Sequence, residues 1–264
     1  MDFDKAATQI LRSKKYNRKG IVPQTVVDLL KQEIAKGKED SEAIASARVA
    51  LHHVVAPYLG DLKYSRALRE LQVAYEQGPD ALRSACRHLL SQHASTRERL
   101  PVMEEFYGRI FAAVGQPEVV LDLACGLNPL AWPWMGLPST TGYYAYDLHG
   151  ERVEFLNHAL PLLGVATHAQ YRDILIAPPR ERADVALILK EVHRFEAREA
   201  GVSSRLFKEL RVDHLVVSFP TRNLRGTRSL VGMYARLMGG IVDAKWPIAE
   251  LRFPNEIVYC IDKR

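Results

Sequence analysis

The sequence predicts an α/β fold, an open and mostly parallel sheet covered on both faces, preceded by an all-helical N-terminal segment. Three observations carry this. From about residue 119 short apolar runs bounded by turn residues alternate with helix-like stretches, and such alternation with short connections implies parallel strands flanked by helices. Before residue 100 the apolar spacing is helical. The last two apolar runs, 249–253 and 256–261, are joined tightly through Pro254-Asn255, which predicts an antiparallel hairpin at one sheet edge.

Taken in order, residues 23–35 place Val26, Val27, Leu29, Leu30 and Ile34 at helical spacing, with Pro23 suited to the first turn. Residues 41–55 and 64–77 read as further amphipathic helices. Strands are expected at 119–123, 141–146, 168–172, 185–189 and 214–218, with helices between them. The change of character between Leu100 and Val119 divides the chain. We draw the boundary at 105/106, with a helical, basic domain over 1–105 and an α/β domain over 106–264.

The chain has 264 residues, 47% apolar and 25% charged, the balance of an ordinary globular protein rather than a disordered or fibrous one. Its longest apolar runs, such as 119–121 and 214–219, are strand-length and far below the roughly 20 residues that span a bilayer. The N-terminus opens with Asp2 and Asp4 and carries no apolar stretch before a cleavage site, so no secretory signal is expected and the chain is placed in the cytoplasm. Cys86, Cys125 and Cys260 are too scattered for a disulfide framework or a thiolate metal site. His52 and His53 are adjacent and point to different helix faces, so no metal is expected there. A net charge of +5 favours a polyanionic partner.

Residues 119–130, VVLDLACGLNPL, form an apolar strand ending at Asp122 and running into a small-residue turn with Ala124, Cys125 and Gly126. In open α/β sheets the ligand crevice lies at the carboxyl ends of the strands, beside the switch point. By itself such a segment can also be a tight strand-to-helix turn with one glycine. The next strand, in YYAYDLH at 143–149, ends at Asp147, where a carboxylate can accept hydrogen bonds from ribose hydroxyls. Asp173, in YRDIL, closes the third strand at the spacing of a residue beside an adenine ring. Each aspartate alone is more often a cap or turn residue; the ordered series points to a nucleoside. No Gly-x-Gly-x-x-Gly or Walker sequence is present, which argues against a dinucleotide or nucleoside triphosphate.

These motifs resemble one family, the aminoglycoside-resistance 16S rRNA guanine-N7 methyltransferases. The resemblance covers nearly the whole chain: SKKY at 13–16, Pro-x-Thr-Val at 23–26, HASTRERL at 93–100, DLACGLNPL at 122–130 and SFPTRNL at 218–224. It implies a Rossmann-like class I methyltransferase sheet with an antiparallel edge hairpin, S-adenosyl-L-methionine as cofactor with S-adenosyl-L-homocysteine as product, and a target guanine of the nucleotide-1405 type in the decoding A-site. Modification there removes the site of gentamicin- and kanamycin-type drugs. It further implies that Arg99 pairs with the cofactor carboxylate, with His93 and Ser95 nearby and Arg97 as the alternative. Ala124 and Gly126 would approach the methionine part, Asp147 the ribose, and Asp173 and Ile174 the adenine; Asp122, Cys125, Leu148, Leu189 and Glu199 are further cofactor-binding candidates. Glu199 stands where relatives often carry glutamine, and 190–195, KEVHRF, replaces an apolar Lys-Leu-Leu-Pro-Leu-Leu stretch.

Guanine N7 offers an in-plane lone pair and no proton, so no general base is expected and catalysis is mainly positioning. Lys190, Phe219 and Arg222 are the positioning candidates. The base is expected to leave its stack for an aromatic-lined pocket, for which Trp132, Trp134 and Phe219 are candidates, each equally a core residue. Two basic clusters, Arg12, Lys14, Lys15, Arg18 and Lys19, and Arg222, Arg225 and Arg228, are expected to meet rRNA phosphates of the 30S subunit. The chain is expected to act as a monomer. Rival readings are a methyltransferase for another RNA nucleotide, a protein or a small molecule, and a noncatalytic RNA-binding protein.

Overall fold

The computed structural model describes residues 1–13, 16, 20–55, 62–166, 168–223 and 226–264. Helices come first: α1 (Phe3–Leu11), α2 (Pro23–Ala35), α3 (Asp40–Val55), α4 (Tyr64–Gln77), α5 (Pro79–Ser91), α6 (Ala94–Arg97) and α7 (Met103–Val114). Asp2 caps α1 by accepting the Lys5 amide at 3.0 Å, and Pro23 and Pro79 start α2 and α5 where a missing N–H costs nothing. The α/β part follows as β1 (Val119–Leu123), α8 (Trp132–Met135), β2 (Gly142–Asp147), α9 (Gly150–Leu162), β3 (Ala169–Tyr171), β4 (Ala183–Leu189), α10 (Val192–Arg198), α11 (Val202–Glu209), β5 (Val212–Pro220), α12 (Val231–Ile241), β6 (Ile248–Arg252) and β7 (Glu256–Asp262).

The seven strands are ordered β3-β2-β1-β4-β5-β7-β6. The first five are parallel, and β7 runs antiparallel to both β5 and β6. The expected edge hairpin is present. Strict alternation fails once: between β3 and β4 the segment after Asp173 forms only a turn, with the Ile176 and Ala177 amides donating to the Asp173 carbonyl. The switch point lies between β1 and β4, whose crossovers leave in opposite directions.

Alternate residues of β1 supply two cores. Val120 faces the layer built by α4, α5, α7 and α9, whereas Leu121 and Leu123 face α10, α11 and α12. A third cluster joins α1, α2 and α3 through Ile10, Val26, Leu30, Ala47 and Leu51. The cores thus divide differently from the chain order. The boundary expected at 105/106 falls within α7, and α4 and α5 share the core of the sheet while α1–α3 have their own.

Candidate active site

The turn after β1 takes a conformation few side chains adopt. Ala124 and Gly126 have φ of +52° and +54°, and at the end of the neighbouring strand β4, Lys190 has φ of +62°. A left-handed non-glycine residue costs about 1–2 kcal/mol, so two of them flanking the switch point mark a place where backbone direction outweighs comfort. The turn is pinned to β2 by the Cys125 amide donating to the Tyr146 carbonyl at 3.0 Å. The Gly126 amide donates to Asp147 Oδ2, also at 3.0 Å.

Beside this turn opens a cavity of about 650 Å³, walled by the carboxyl-end loops, α10 and the facing sides of α2 and α3. That lies within the roughly 300–1,000 Å³ of small-molecule sites. Ala124, Leu148, Ile174 and Leu175 give it an apolar floor, and Asp147 and Asp173 give it two buried carboxylates. Asp147 accepts from the Gly126 amide, the His149 amide at 2.9 Å and Arg152 Nη1 at 2.9 Å. Asp173 accepts from Thr25 Oγ1 at 2.7 Å, Arg198 Nη1 at 2.7 Å and the Leu175 amide at 3.1 Å. A carboxylate offers about four lone-pair directions, so three donors hold each group rigid and leave acceptor capacity for a ligand hydroxyl or amine.

A narrower pocket lies behind Ala124 and Gly126, lined by His93, Ser95, Arg99, Asp122, Cys125 and Leu189 among others. Arg99 and Glu256, each 2% exposed, meet at its base through Nε (3.2 Å) and Nη2 (2.8 Å). Arg99 Nη1 also donates to Asn128 Oδ1 at 2.8 Å, and the guanidinium lies 4.3 Å from the Phe106 ring centre. Lys190 Nζ reaches Glu98 at 2.8 Å and Glu256 at 3.3 Å, and Ser218 donates to Glu256 at 2.5 Å. Burial opposes the charge on Glu256, yet Arg99 and Lys190 hold its carboxyl below the usual range. Asp122 has no cation in contact; burial pushes it up to about 7, against hydrogen bonds from Tyr143 and Asn128. Asn128 and Tyr143 lie inside the DLACGLNPL and YYAYDLH motifs without a role of their own, and Glu256 lies in no motif; their pairing with Arg99 and Asp122 shows only in the fold.

Residues 12–260 match the FmrO ribosomal RNA methyltransferase family. The chain belongs to this family. It is 38% identical to a 16S rRNA (guanine(1405)-N(7))-methyltransferase of Frankia casuarinae, over 98% of this chain and 93% of that protein. Against the protein of the same name from Micromonospora echinospora it is 35% identical over 99% and 97%. Its structure is similar to that of the 16S rRNA methylase RmtB (TM-score 0.80, 31% identity, 100% and 99% covered). It is equally similar to that of RmtF in complex with S-adenosyl-L-homocysteine (TM-score 0.81, 30% identity, 100% and 99% covered).

Within this FmrO-family site the structure gathers His93, Ser95, Arg99, Asp122, Ala124, Cys125, Gly126 and Leu189 around the narrow pocket, and Ala124, Asp147, Leu148, Asp173 and Ile174 around the wide one. Three expected residues fall elsewhere. Arg97 is exposed at the end of α6 and borders neither pocket. Glu199 is the first residue past α10, in extended backbone that turns its carboxylate out to Arg205 at 2.6 Å; the cavity residue is its neighbour Arg198. Phe219 is 0% exposed, stacked on Tyr234 at 4.3 Å in the core behind the sheet, so it presents no face to a base. Trp132 and Trp134 are likewise core residues, one against Tyr143 and the other beneath Arg83.

Of the basic clusters, Arg12, Arg222 and Arg228 are exposed. Lys14, Lys15, Arg18, Lys19 and Arg225 lie outside the described residues. Arg222 donates to the Gly226 carbonyl at 3.0 Å in the loop after β5, at the same end of the sheet as the cavity. Among the described residues no group of three His, Cys, Asp or Glu side chains is placed to share a metal ion, and no helix is long and apolar enough to cross a membrane.

Proposed function

We propose that this chain transfers a methyl group from S-adenosyl-L-methionine to N7 of guanine 1405 in the 16S rRNA of the 30S subunit, in the cytoplasm, and so confers resistance to aminoglycosides. The observation that carries it is the pair of rigidly held carboxylates, Asp147 and Asp173, spaced along one apolar cavity that begins at the left-handed Ala124 turn. That cavity suits a nucleoside without phosphates, and relatives over the full chain carry this activity in their names.

When bound, the cofactor supplies an electrophilic methyl group on a sulfonium. The chain's own part is placement. Asp147 takes the ribose hydroxyls, Asp173 and Ile174 border the adenine, and Arg99, already braced by Glu256 and Asn128, receives the carboxylate end with His93 and Ser95. The N7 lone pair needs no proton removed, so holding it in line with the methyl group lowers the barrier through orientation alone. Lys190, whose ammonium is tied to Glu98 and Glu256, fixes the β4 end of the site. The helical part over 1–105, with Arg12 and its basic neighbours, together with Arg222, Arg225 and Arg228, meets rRNA phosphates, and the 106–264 part performs the transfer with His93, Ser95 and Arg99 completing its cofactor site.

The test is methyl transfer from labelled S-adenosylmethionine to purified 30S subunits lacking the modification, followed by mapping of the modified nucleotide. Label at N7 of guanine 1405 is the expected result. Label on another nucleotide keeps the enzyme and discards the site. No transfer to 30S, free rRNA or tRNA despite cofactor binding discards the RNA substrate.

A further inference from the structure

By its apolar packing α2 belongs with α1 and α3, in a core separate from that of the sheet. Its polar side faces the cavity loops. Thr25, fully buried, donates to Asp173 Oδ2, and Arg198 bridges the same oxygen (2.7 Å) to Asp28 Oδ2 (2.7 Å). Thr25 and Asp28 are three residues apart and so lie on one face of the helix. Without them Asp173 would keep the Leu175 amide and an arginine no longer anchored on α2.

The second attachment of the N-terminal helices falls on the other carboxylate's loop. The Gly150 amide donates to the Gly20 carbonyl at 2.8 Å, Ile21 bridges His149, and the Val22 amide meets the Leu148 carbonyl at 3.4 Å. The backbones are so close that a Cβ on Gly150 would lie 3.0 Å from the Gly20 carbonyl oxygen. Leu148, next to Asp147, packs against the α1–α3 core. Both attachments therefore land on the loops that carry the ribose and adenine candidates.

We infer that Thr25 and Asp28 are positioning residues for the adenosine end of the cofactor, and that cofactor binding and 30S binding are linked through this α2 seam. The inference rests on the reading of Asp147 and Asp173 given above. A ligand that engages Asp173 also engages α2 through Thr25 and Arg198, and such coupling is reciprocal: what the cofactor does for 30S affinity, the 30S subunit does for the cofactor.

The test is calorimetric titration of S-adenosylhomocysteine, and separately of adenosine, into the full-length wild type, Thr25→Ser, Thr25→Val and Asp28→Asn. It is paired with 30S binding measured with and without S-adenosylhomocysteine. Losing a hydrogen bond to a buried carboxylate should weaken both ligands about tenfold in Thr25→Val, by the same factor. Thr25→Ser, which keeps the hydroxyl, should bind as the wild type does, and Asp28→Asn should weaken both ligands. S-adenosylhomocysteine should raise wild-type affinity for 30S, and by less in Thr25→Val. Equal behaviour of Thr25→Ser and Thr25→Val, or lower thermal stability with unchanged ligand affinity, would overturn the positioning role. Should Thr25→Val not fold, Asp28→Asn carries the same comparison. A 30S affinity indifferent to S-adenosylhomocysteine would overturn the linkage alone. A wild type that binds neither ligand would instead overturn the cofactor reading beneath it.

Discussion

Glu256 and Arg99, 157 residues apart in the chain, meet as a two-point ion pair beneath the β1 turn, with Lys190 as a second cation on the same carboxylate. The first residue of β7 and the second residue past α6 are thereby joined.

Removing one member of a buried pair leaves the other charge uncompensated. Glu256→Ala should cost about 3–5 kcal/mol, read as a lowered denaturant midpoint. A midpoint equal to the wild type's would mean that water or another carboxylate already serves Arg99.

Ala124 offers the opposite case. Its φ of +52° costs a side chain what it does not cost glycine. Ala124→Gly should raise stability by a fraction of about 1 kcal/mol, and Ala124→Val should lower it by more and weaken S-adenosylhomocysteine binding. Thermal melts and calorimetry on both variants check this; a destabilised glycine variant would show that the Ala124 methyl packs too well to lose.

Asp122 makes a pH prediction. Its folded-state value, raised by burial to about 7, exceeds its ordinary value, so the folded chain holds a proton that the unfolded chain releases. Stability from this group is therefore full below its unfolded value near pH 4 and is lost as pH rises towards 7, by about 1.4 kcal/mol per unit. Paired carboxylates such as Glu256 have the opposite sign, gaining stability as pH rises through about 4. The wild type minus Asp122→Asn difference isolates the effect: denaturant unfolding at pH 5 and pH 7 should favour the wild type more at pH 5. A difference independent of pH would place the Asp122 titration elsewhere.

Asp147→Asn keeps the side-chain shape but turns one acceptor into a donor, facing either the His149 amide at Oδ1 or the Gly126 amide and Arg152 at Oδ2. S-adenosylhomocysteine affinity should fall at least about tenfold, by calorimetry. Undiminished binding would remove Asp147 from the ribose contact.

Charge reversal of the N-terminal basic segment, Lys14→Glu with Lys15→Glu, should leave S-adenosylhomocysteine affinity as it is and weaken 30S binding, more so at low salt. Preserved 30S affinity at moderate salt would make the segment a solvated face.

The sheet was legible because each strand is short, apolar and punctuated: β1 falls at the expected 119–123. The chemistry was legible where a backbone need writes itself as a small residue, as at Ala124 and Gly126, or where an aspartate ends a strand. Glu199 misled because α10 ends at Arg198 and Glu199 continues in extended backbone, so only the three-dimensional path shows that Arg198 borders the cavity. Phe219 misled because its motif neighbours sit at the crevice edge while the pleat sends its ring to the opposite face of the sheet. Glu256 carried no motif, and Thr25 stood in Pro-x-Thr-Val without a role, because their meaning lies in contacts 157 and 148 residues away.

The way the cores divide also decides what can be exchanged between relatives. A chimaera that swaps everything before residue 106 would cut α7 in two and replace α4 and α5, whose Leu71, Leu89 and Leu90 interlock with the sheet. The graftable cassette is shorter. It ends between Val55 and Leu62 and carries α1–α3 with their own core; among the described residues the recipient must match the α2 seam, the pairing of residues 20–22 with 148–150, and the side of α3 that meets α10.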